Sequence, residues 1–103
     1  MSWAGKILRV DLTEGTMEKE PTFRYVDDCL GGIGIGNRIF YEEVSPDTRA
    51  YDPENLLMFN TGPLTGTLFG NKATVAAKTP ERANDPYVFV GMGGQFPSEI
   101  KYA

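Results

Sequence analysis

Two short runs of consecutive apolar residues, at positions 56–59 and 87–90, most constrain what this chain can fold into. A continuous apolar run of four residues bounded by turn residues is typical of a strand buried on both faces. We therefore predict two buried strands, with residues 56–59 as a central strand. Each run leads directly into a glycine-rich segment, so the sequence places flexible loops at the ends of rigid elements.

The N-terminal pattern predicts a β-hairpin over residues 5–20. Leu8, Val10 and Leu12 alternate with polar residues at the two-residue period of a half-buried strand, and the following Thr-Glu-Gly-Thr has the composition of a turn. Pro21 ends the hairpin or confines it to a sheet edge, because proline lacks the N–H that a central strand must donate.

The remaining elements are predicted from helical and strand patterns. A short helical turn is predicted over residues 23–30, a helix over 35–44, a strand of small residues over 73–77, and a second helix over 95–103. The first helix has Ile35, Ile39 and Phe40 on one face, as an amphipathic helix requires.

Composition excludes several functions. The chain has 14 acidic and 10 basic residues, a formal net charge of −4, which argues against binding nucleic acid or an anionic membrane. No apolar run approaches the roughly 20 residues that span a bilayer. The first residues lack the apolar core of a secretory signal, so we expect a cytoplasmic protein.

Metal chemistry is limited by the scarcity of ligands. Cys29 is the one cysteine and there is no histidine, so neither an internal disulfide nor an iron–sulfur cluster, which generally needs four thiolates, is possible within the chain. We interpret Cys29 as a small buried apolar residue rather than a nucleophile.

The first glycine cluster does not match the dinucleotide-binding fingerprint. Gly32 and Gly34 begin G-x-G-x-x-G, but Asn37 stands where the last glycine is required, and no strand precedes the cluster. Two interpretations remain: tight packing at the start of a helix, or close approach of the backbone to another ligand.

Two later glycine segments are candidate anion sites. Gly62 and Thr65 lie in the loop after the first apolar run, and the second run is followed by a strand–glycine–helix junction made of Gly-Met-Gly-Gly. Glycines there free backbone N–H groups to face an anion, and a helix N-terminus adds partial positive charge; a plain turn explains either segment equally well. Lys72 is a lone cation between them, and a surface lysine is its simpler interpretation.

Five strings, in this order, resemble the N-terminal domain of the aldehyde:ferredoxin oxidoreductase family. The family opens with a Trp-x-Gly-Lys/Arg hairpin ending in Thr-x-Gly, continues with Leu-Gly-Gly-x-Gly, Pro-Glu-Asn-x-Leu and Gly-Pro-Leu-Thr-Gly-Thr, and then has Gly-Gly-x-Phe-x-x-Glu-x-Lys-Tyr-Ala. The corresponding strings here are residues 3–15, 30–34, 53–57, 62–67 and 93–103.

The resemblance implies an α+β fold with a mixed, mainly antiparallel sheet and one or two helices. In the family this domain is a platform of two related halves that supports tungsten or molybdenum held by two pterin dithiolenes. Residues 1–103 would form about half of that platform, truncated at the C-terminal side. Later domains supply the 4Fe-4S cysteines and the catalytic residues, so this segment is expected to have no catalytic residue or metal ligand and to bind no cofactor alone.

The resemblance also implies site residues and partners. Cofactor contacts are expected at Lys72, Gly91, Gly93, Gly94, Gly62 and Thr65. The expected partners are the remainder of the polypeptide or companion subunits, and ferredoxin or an iron–sulfur electron-transfer subunit. The alternative is a stand-alone, non-catalytic module that binds a partner protein or an anion.

Three residues depart from the pattern of typical aldehyde oxidisers. Lys72 stands in the place of an Arg between pterin and cluster, Ile33 in the place of another Arg, and Gly91 in the place of an Asn. Lysine supplies a point charge but not the bidentate fork of arginine. A substrate other than a simple aldehyde is therefore an alternative. The benzoyl-coenzyme A reductase branch of the family has a similarly Arg-free Gly-Gly-x-Gly string.

We predict that the purified 103-residue chain contains no stoichiometric metal, because one cysteine and no histidine cannot complete a metal site. Elemental analysis for iron, tungsten and molybdenum checks this. Stoichiometric iron together with tungsten or molybdenum on the chain alone would contradict it.

Overall fold

The computed structural model describes residues 3–103, which form an α+β fold. In chain order the elements are β1 (Lys6–Asp11), β2 (Thr16–Pro21), a 3-10 helix (Thr22–Arg24), α1 (Ile33–Glu43), β3 (Met58–Thr61), β4 (Ala73–Lys78), β5 (Tyr87–Met92) and α2 (Phe96–Tyr102). β1 and β2 form an antiparallel hairpin, and β3, β4 and β5 form an antiparallel sheet with β4 in the middle. The predicted α+β class, with mainly antiparallel pairing and two helices, is confirmed.

The core lies between α1 and one face of each sheet. Ile35 and Ile39 of α1 are buried against Tyr25, and Ile7 and Met58 pack on this cluster from the two sheets. Phe40, on the same helical face, stacks on Tyr87 of β5 with ring centroids 4.3 Å apart. The predicted apolar face of the first helix is confirmed, and both sheets pack against that helix.

The hairpin presents the face opposite to the predicted one. Ile7 and Arg9 are half-buried toward α1, whereas Leu8 and Val10 are 57% and 51% exposed and Leu12 is almost fully exposed. The alternation was therefore correct in period and wrong in direction. The reason is the core-facing role of Ile7 together with the ion pairs that hold Arg9 on the same side.

Arg9 joins the hairpin to α1. Its guanidinium donates to Glu20 of β2 at 2.8 Å and to Glu43 of α1 at 2.7 Å. The hydrogen bonds that Arg9 donates to Glu43 and Glu20 raise the pKa of its guanidinium, and the bond accepted from Arg9 lowers the pKa of the Glu20 carboxyl. Because Glu20 is partly screened by solvent, we regard this pair chiefly as an orienting contact.

The first glycine cluster permits close packing. A Cβ on Gly36 would lie 2.5 Å from Asn60 Oδ1, and one on Gly32 would lie 3.6 Å from the Gly62 Cα. Gly31 has a φ of +142° and would bring a side chain within 2.7 Å of Pro63. The start of α1 therefore lies directly against the end of β3, as the packing interpretation of this cluster requires.

The two apolar runs do not form the buried strands that were predicted. β3 begins two residues late, at Met58, and is an edge strand, whereas the small-residue strand β4 is central and has Ala76 only 1% exposed. β5 is the other edge, with Phe89 and Val90 exposed. Within the described residues α1 covers only one face of this sheet, so Phe59 and Val90 on the other face are exposed. Phe89 shares the face of buried Ala76 and is exposed at the edge of the sheet.

In both sheets the face opposite α1 remains apolar and exposed. Leu8, Val10 and Met17 line this face of the hairpin, and Phe59 and Val90 line it in the second sheet. None of the described helices is long and apolar enough to cross a membrane.

We predict that the 103-residue chain self-associates with rising concentration, since contiguous exposed apolar surface drives association. Val10→Lys should shift the equilibrium toward monomer, whereas Tyr51→Lys, which changes an exposed loop residue outside the apolar face, should not. Sedimentation velocity over a concentration series measures both. A sharp monomer at every concentration would contradict the prediction.

Candidate functional site

One end of the three-stranded sheet gathers the predicted site. Thr61 of β3 pairs with Ala73 of β4, and Ala73 pairs with Met92 of β5, so these three residues mark a common end. The β3–β4 connection, residues 62–72, and the β5–α2 connection, residues 93–95, therefore leave the sheet side by side. The antiparallel order thus brings two glycine-rich segments together that are about 30 residues apart in sequence.

The first part of the 62–72 loop is closed by the Thr65 hydroxyl. Thr65 Oγ1 accepts from the Gly62 N–H at 2.8 Å and donates to the Lys72 carbonyl at 2.6 Å. Both ends of the loop are thereby tied to one buried side chain. Thr65 shapes the loop from behind, and its hydroxyl already has both a donor and an acceptor partner within the chain.

The tip of the loop is a small hairpin. Thr67 and Gly70 exchange backbone hydrogen bonds of 3.3 Å, which place Leu68 and Phe69 at the turn. Both apolar side chains are almost fully exposed. The loop therefore projects an apolar tip beside its glycine-rich base.

Lys101 fixes the base of the loop. Its ammonium donates to three carbonyl oxygens, those of Gly62 at 3.0 Å, Pro63 at 2.8 Å and Thr65 at 2.8 Å. The residue is 7% exposed, and no carboxylate pairs with it among the described residues. Burial lowers the pKa of Lys101, while the three carbonyl dipoles favour the charged form. α2 thus holds the loop through a buried cation.

Tyr102, next along α2, adds a second contact to the same loop. Its hydroxyl donates to the Gly66 carbonyl at 3.1 Å. Gly66 has a φ of +75°, and a Cβ there would lie 2.7 Å from the Tyr102 ring. Glycine is required at this position for both its backbone conformation and its contact with the ring.

Lys72 lies where the two loops meet. A Cβ on Gly93 would be 3.0 Å from Lys72 Nζ, so the ammonium rests against the Gly93 backbone. Its neighbour Asn71 donates through its side-chain amide to the Gly94 carbonyl. Lys72 is exposed, and no carboxylate pairs with it in residues 3–103. This is an accessible cation held over glycine backbone.

The structure brings most of the predicted site residues together. Gly62 and Thr65 form the base of one loop, and Lys72 contacts Gly93 of the other, with Gly94 tied to the neighbouring Asn71. Gly91 is separate because it lies within β5, opposite Thr74, rather than in the loop. No side chain lies within 4 Å of a Cβ built on Gly91 or Gly94, so both backbones face open space.

The helix after the second loop contributes little to anion binding. α2 has only seven residues and carries Pro97 in its first turn, which removes one N–H donor. A helix dipole needs several aligned peptides, so Lys72 and not the helix N-terminus is the main positive feature of this surface.

Sequence reasoning missed the residues that hold the loops. Lys101 and Tyr102 belong to the Lys-Tyr-Ala string that carried the resemblance, and Asn71 directly precedes Lys72, but no local pattern revealed their partners. Each partner lies more than 20 residues away in sequence. A charged residue at position 101 among Ile100, Tyr102 and Ala103 was the available signal, since a lysine on a packed face needs acceptors.

A family profile matches nearly all of the described chain. The profile described as "Aldehyde ferredoxin oxidoreductase, N-terminal domain" covers residues 7–103. The chain belongs to this family. The resemblance inferred from five strings is thereby confirmed.

Curated relatives extend the match. The chain is 41% identical over 103 residues to a tungsten-containing aldehyde ferredoxin oxidoreductase of Pyrococcus abyssi, covering 96% of this chain and 16% of that protein. It is 39% identical over 84 residues to the WOR-like subunit of an aliphatic sulfonate oxidoreductase of Pyrococcus furiosus, covering 78% of this chain and 14% of that protein. The chain thus spans about one sixth of the relatives' length.

A solved structure has the same fold. The active-site complex BamBC of benzoyl coenzyme A reductase, determined with 1,5-dienoyl-CoA, superimposes with a TM-score of 0.89 at 36% identity. The match covers 98% of this chain and 16% of the matched chain. Proteins named for aldehydes, an aliphatic sulfonate and benzoyl coenzyme A therefore all contain a segment similar to this chain.

We predict that Lys101→Met destabilises the chain by about 1–3 kcal/mol, because three carbonyl oxygens, one buried and two part-buried, lose their donor. Methionine keeps the length of the side chain and deletes the charge. The matched control is Lys72→Met, which removes an exposed ammonium and should change the free energy of unfolding by less than about 0.5 kcal/mol. Urea denaturation of both variants measures the difference; equal effects would contradict the assigned role.

Proposed function

We propose that this chain is the N-terminal, pterin-supporting segment of a cytoplasmic tungsten- or molybdenum-pterin, iron–sulfur oxidoreductase that interconverts aldehydes and carboxylic acids. Ferredoxin, or an iron–sulfur electron-transfer subunit, is the proposed electron acceptor. The single observation that carries the proposal is the exposed Lys72 ammonium, held against the Gly93 backbone where two glycine-rich loops meet. The segment is inactive alone and depends on the remainder of its polypeptide or on companion subunits.

The residues at this surface fit an anionic organic cofactor. A pterin carries phosphate and dithiolene groups, and both are negatively charged. Lys72 supplies a cation that lies against Gly93, and Gly94 supplies backbone that a ligand can approach closely. Within residues 3–103 no cluster of three His, Cys, Asp or Glu side chains could bind a metal ion. These residues would therefore hold the pterin and not the metal ion itself.

The chain's own residues have binding and orienting roles. Lys72 would neutralise negative charge on the bound group, and its effect would grow where the rest of the protein excludes water, since Coulomb energies rise as the dielectric constant falls. Thr65 and Lys101 hold the loop that carries Lys72, and Asn71 fixes this loop to Gly94. The pterin metal, when bound, supplies the two-electron chemistry.

A second candidate substrate class is an aromatic acyl-coenzyme A thioester. The observation that favours it is the 0.89 TM-score at 36% identity to the benzoyl coenzyme A reductase complex. The Gly-Gly-x-Gly string with Ile33, which lacks arginine, is also similar to that branch. Aldehydes remain the first candidate because several relatives of 30–41% identity are named as aldehyde enzymes.

The natural reading frame separates the proposal from the stand-alone alternative. A frame that continues for several hundred residues supports an enzyme segment, and the relatives' lengths agree with that. A frame that stops at Ala103 would contradict the proposal and favour a non-catalytic module that binds a partner protein or an anion.

We predict that Lys72→Met in the natural-length protein lowers cofactor retention or shifts its redox potential while the fold survives. The matched control is Lys19→Met. Lys19 is also exposed, and it lies in β2, outside both loops of the candidate site.

Metal content, redox titration and turnover should be measured on both variants. The proposal requires a change specific to Lys72→Met. If that variant keeps the metal content, potential and turnover of the parent, Lys72 is a solvated surface lysine and the proposed site is wrong.

A further inference from the structure

The tip of the β3–β4 loop departs from the usual composition of a tight turn. Thr67 and Gly70 form the bridge that closes it, and Leu68 and Phe69 occupy the two positions between them. Such positions are normally occupied by Gly, Asn, Asp, Pro or Ser, which favour turns through backbone conformation or side-chain hydrogen bonds. Leucine and phenylalanine supply neither, so their presence at this turn indicates a role outside the loop.

Both side chains are available for contacts with another molecule. Leu68 is 102% exposed and Phe69 is 86% exposed, so the tip is a convex apolar projection. Sites for small molecules are concave and enclose most of the ligand. A projection of this kind therefore fits a pocket on the surface of another protein and not a small substrate.

The tip keeps its shape without a partner. The Thr67 N–H donates to the Gly70 carbonyl and the Gly70 N–H to the Thr67 carbonyl, each at 3.3 Å. Thr67 Oγ1 donates to the Leu64 carbonyl at 2.7 Å and accepts from the Phe69 N–H at 3.2 Å. Because the tip is preorganised, little conformational entropy is lost when it docks. It is formed both bare and covered, as a reversible interface requires.

The end of the sheet that carries the tip is poor in negative charge. The chain has 14 acidic residues, but residues 55–80 and 86–98, which include both loops and all three strands of this sheet, contain none. Glu99 of α2 is the first acidic residue beyond them, and Lys72 is exposed. An acidic protein therefore meets less like-charge repulsion here than at the hairpin, which has four carboxylates, those of Asp11, Glu14, Glu18 and Glu20.

We infer that Leu68 and Phe69 are the docking anchor for a small acidic electron-carrier protein of the iron–sulfur class. The inference rests on the proposed function, because oxidation of an aldehyde and water to a carboxylic acid releases two electrons and two protons. Two molecules of an oxidised one-electron carrier accept the electrons, and the protons pass to solvent. Phe69 and Lys72 have Cα atoms no more than about 11 Å apart, since three residues separate them, so a docked carrier lies beside the candidate site.

The size of the tip fits a brief encounter between two proteins. An aromatic side chain buries about 150–250 Å², and complexes of redox proteins bury less than about 1,200 Å² in total. A few well-packed anchors supply most of the binding energy of an interface. One aromatic and one aliphatic anchor therefore suffice for an interface of this class.

Amide hydrogen exchange of the natural-length protein tests whether the tip is free and what covers it. The Leu68 amide should exchange rapidly in the protein alone, and about 10-fold more slowly with a saturating concentration of an oxidised, acidic [4Fe–4S] ferredoxin. Slow exchange in the protein alone would show that its own polypeptide covers the tip, and the inference would be wrong. Exchange that ferredoxin leaves unchanged would equally overturn it.

Phe69→Ala tests the anchor by kinetics in the natural-length protein. It should raise the KM for ferredoxin about 10-fold, because one of two anchors is lost. It should leave the KM for aldehyde and the turnover with benzyl viologen unchanged, since a small one-electron dye needs no docking surface. The matched control is Tyr51→Ala, another exposed aromatic residue, in the loop that leads into the opposite end of β3. Equal effects of the two variants on the KM for ferredoxin would overturn the inference.

A pair of charged variants tests the acidity of the partner. Phe69→Glu and Phe69→Lys both remove the ring and introduce charges of opposite sign. The glutamate variant should raise the KM for ferredoxin more than the lysine variant, and the difference should shrink as salt is added. Equal effects of the two variants at low salt, or the reverse order, would contradict an acidic partner.

Metal content separates this inference from the proposed function. A protein that contains tungsten or molybdenum and oxidises aldehydes with the dye, but whose Leu68 amide ferredoxin does not protect, refutes the docking site alone. A protein that lacks both metals but binds ferredoxin at the tip refutes the proposed function alone. Protection of Leu68 by vesicles of anionic phospholipid, and not by ferredoxin, would show that the tip binds a lipid surface and would overturn the inference.

Discussion

The contact between the Lys101 ammonium and three carbonyl oxygens organises the end of the sheet at which the candidate site lies. Gly62, Pro63 and Thr65 belong to a loop whose glycines give it little conformational preference of its own, and a buried cation converts it into a defined surface. The Thr65 hydroxyl then connects that base to Lys72. A residue of α2 thus controls, through two hydrogen-bonding steps, where the exposed cation at the candidate site is held.

The same end of the sheet depends on close approach of α1. Gly32 and Gly36 allow the helix to contact the end of β3, so the loop base is supported from below by a helix and from the side by α2. Ile35 and Ile39, on an adjoining strip of α1, are buried in the core. The hairpin and the second sheet both pack on α1 and leave their opposite faces apolar. Domains are built of packed layers, so these apolar faces are suited to packing against a further layer of structure.

Sequence patterns predicted local elements well and burial poorly. The hairpin, both helices and β4 were found because their turn residues and periodicities are local signals. The apolar runs were assigned as buried strands, although β3 and β5 are edges; burial depends on what covers a face, and that is not encoded in the run itself. The alternation of Leu8 with Arg9 gave the period but not the direction, which the contact of Ile7 with α1 determines.

The candidate site was also predictable only in part, because some of its residues belong to local sequence patterns and others have partners distant in sequence. Lys72 and the glycines were identified by spacing and family resemblance, and the antiparallel order of β3, β4 and β5 places the two loops together. Lys101 and Asn71 were missed because their acceptors are backbone carbonyls distant in sequence. The profile, the relatives and the solved structure establish the family, and the roles proposed for single residues rest on the geometry.

The most direct test of the account is the position of the metal in crystals of the natural-length protein, located by anomalous scattering at an absorption edge of tungsten or molybdenum. The account predicts a peak beyond the end of the sheet marked by Thr61, Ala73 and Met92, on the side of Lys72 and Gly93. A peak beside Lys78 at the other end of β4, or over the outer face of α1, would contradict it.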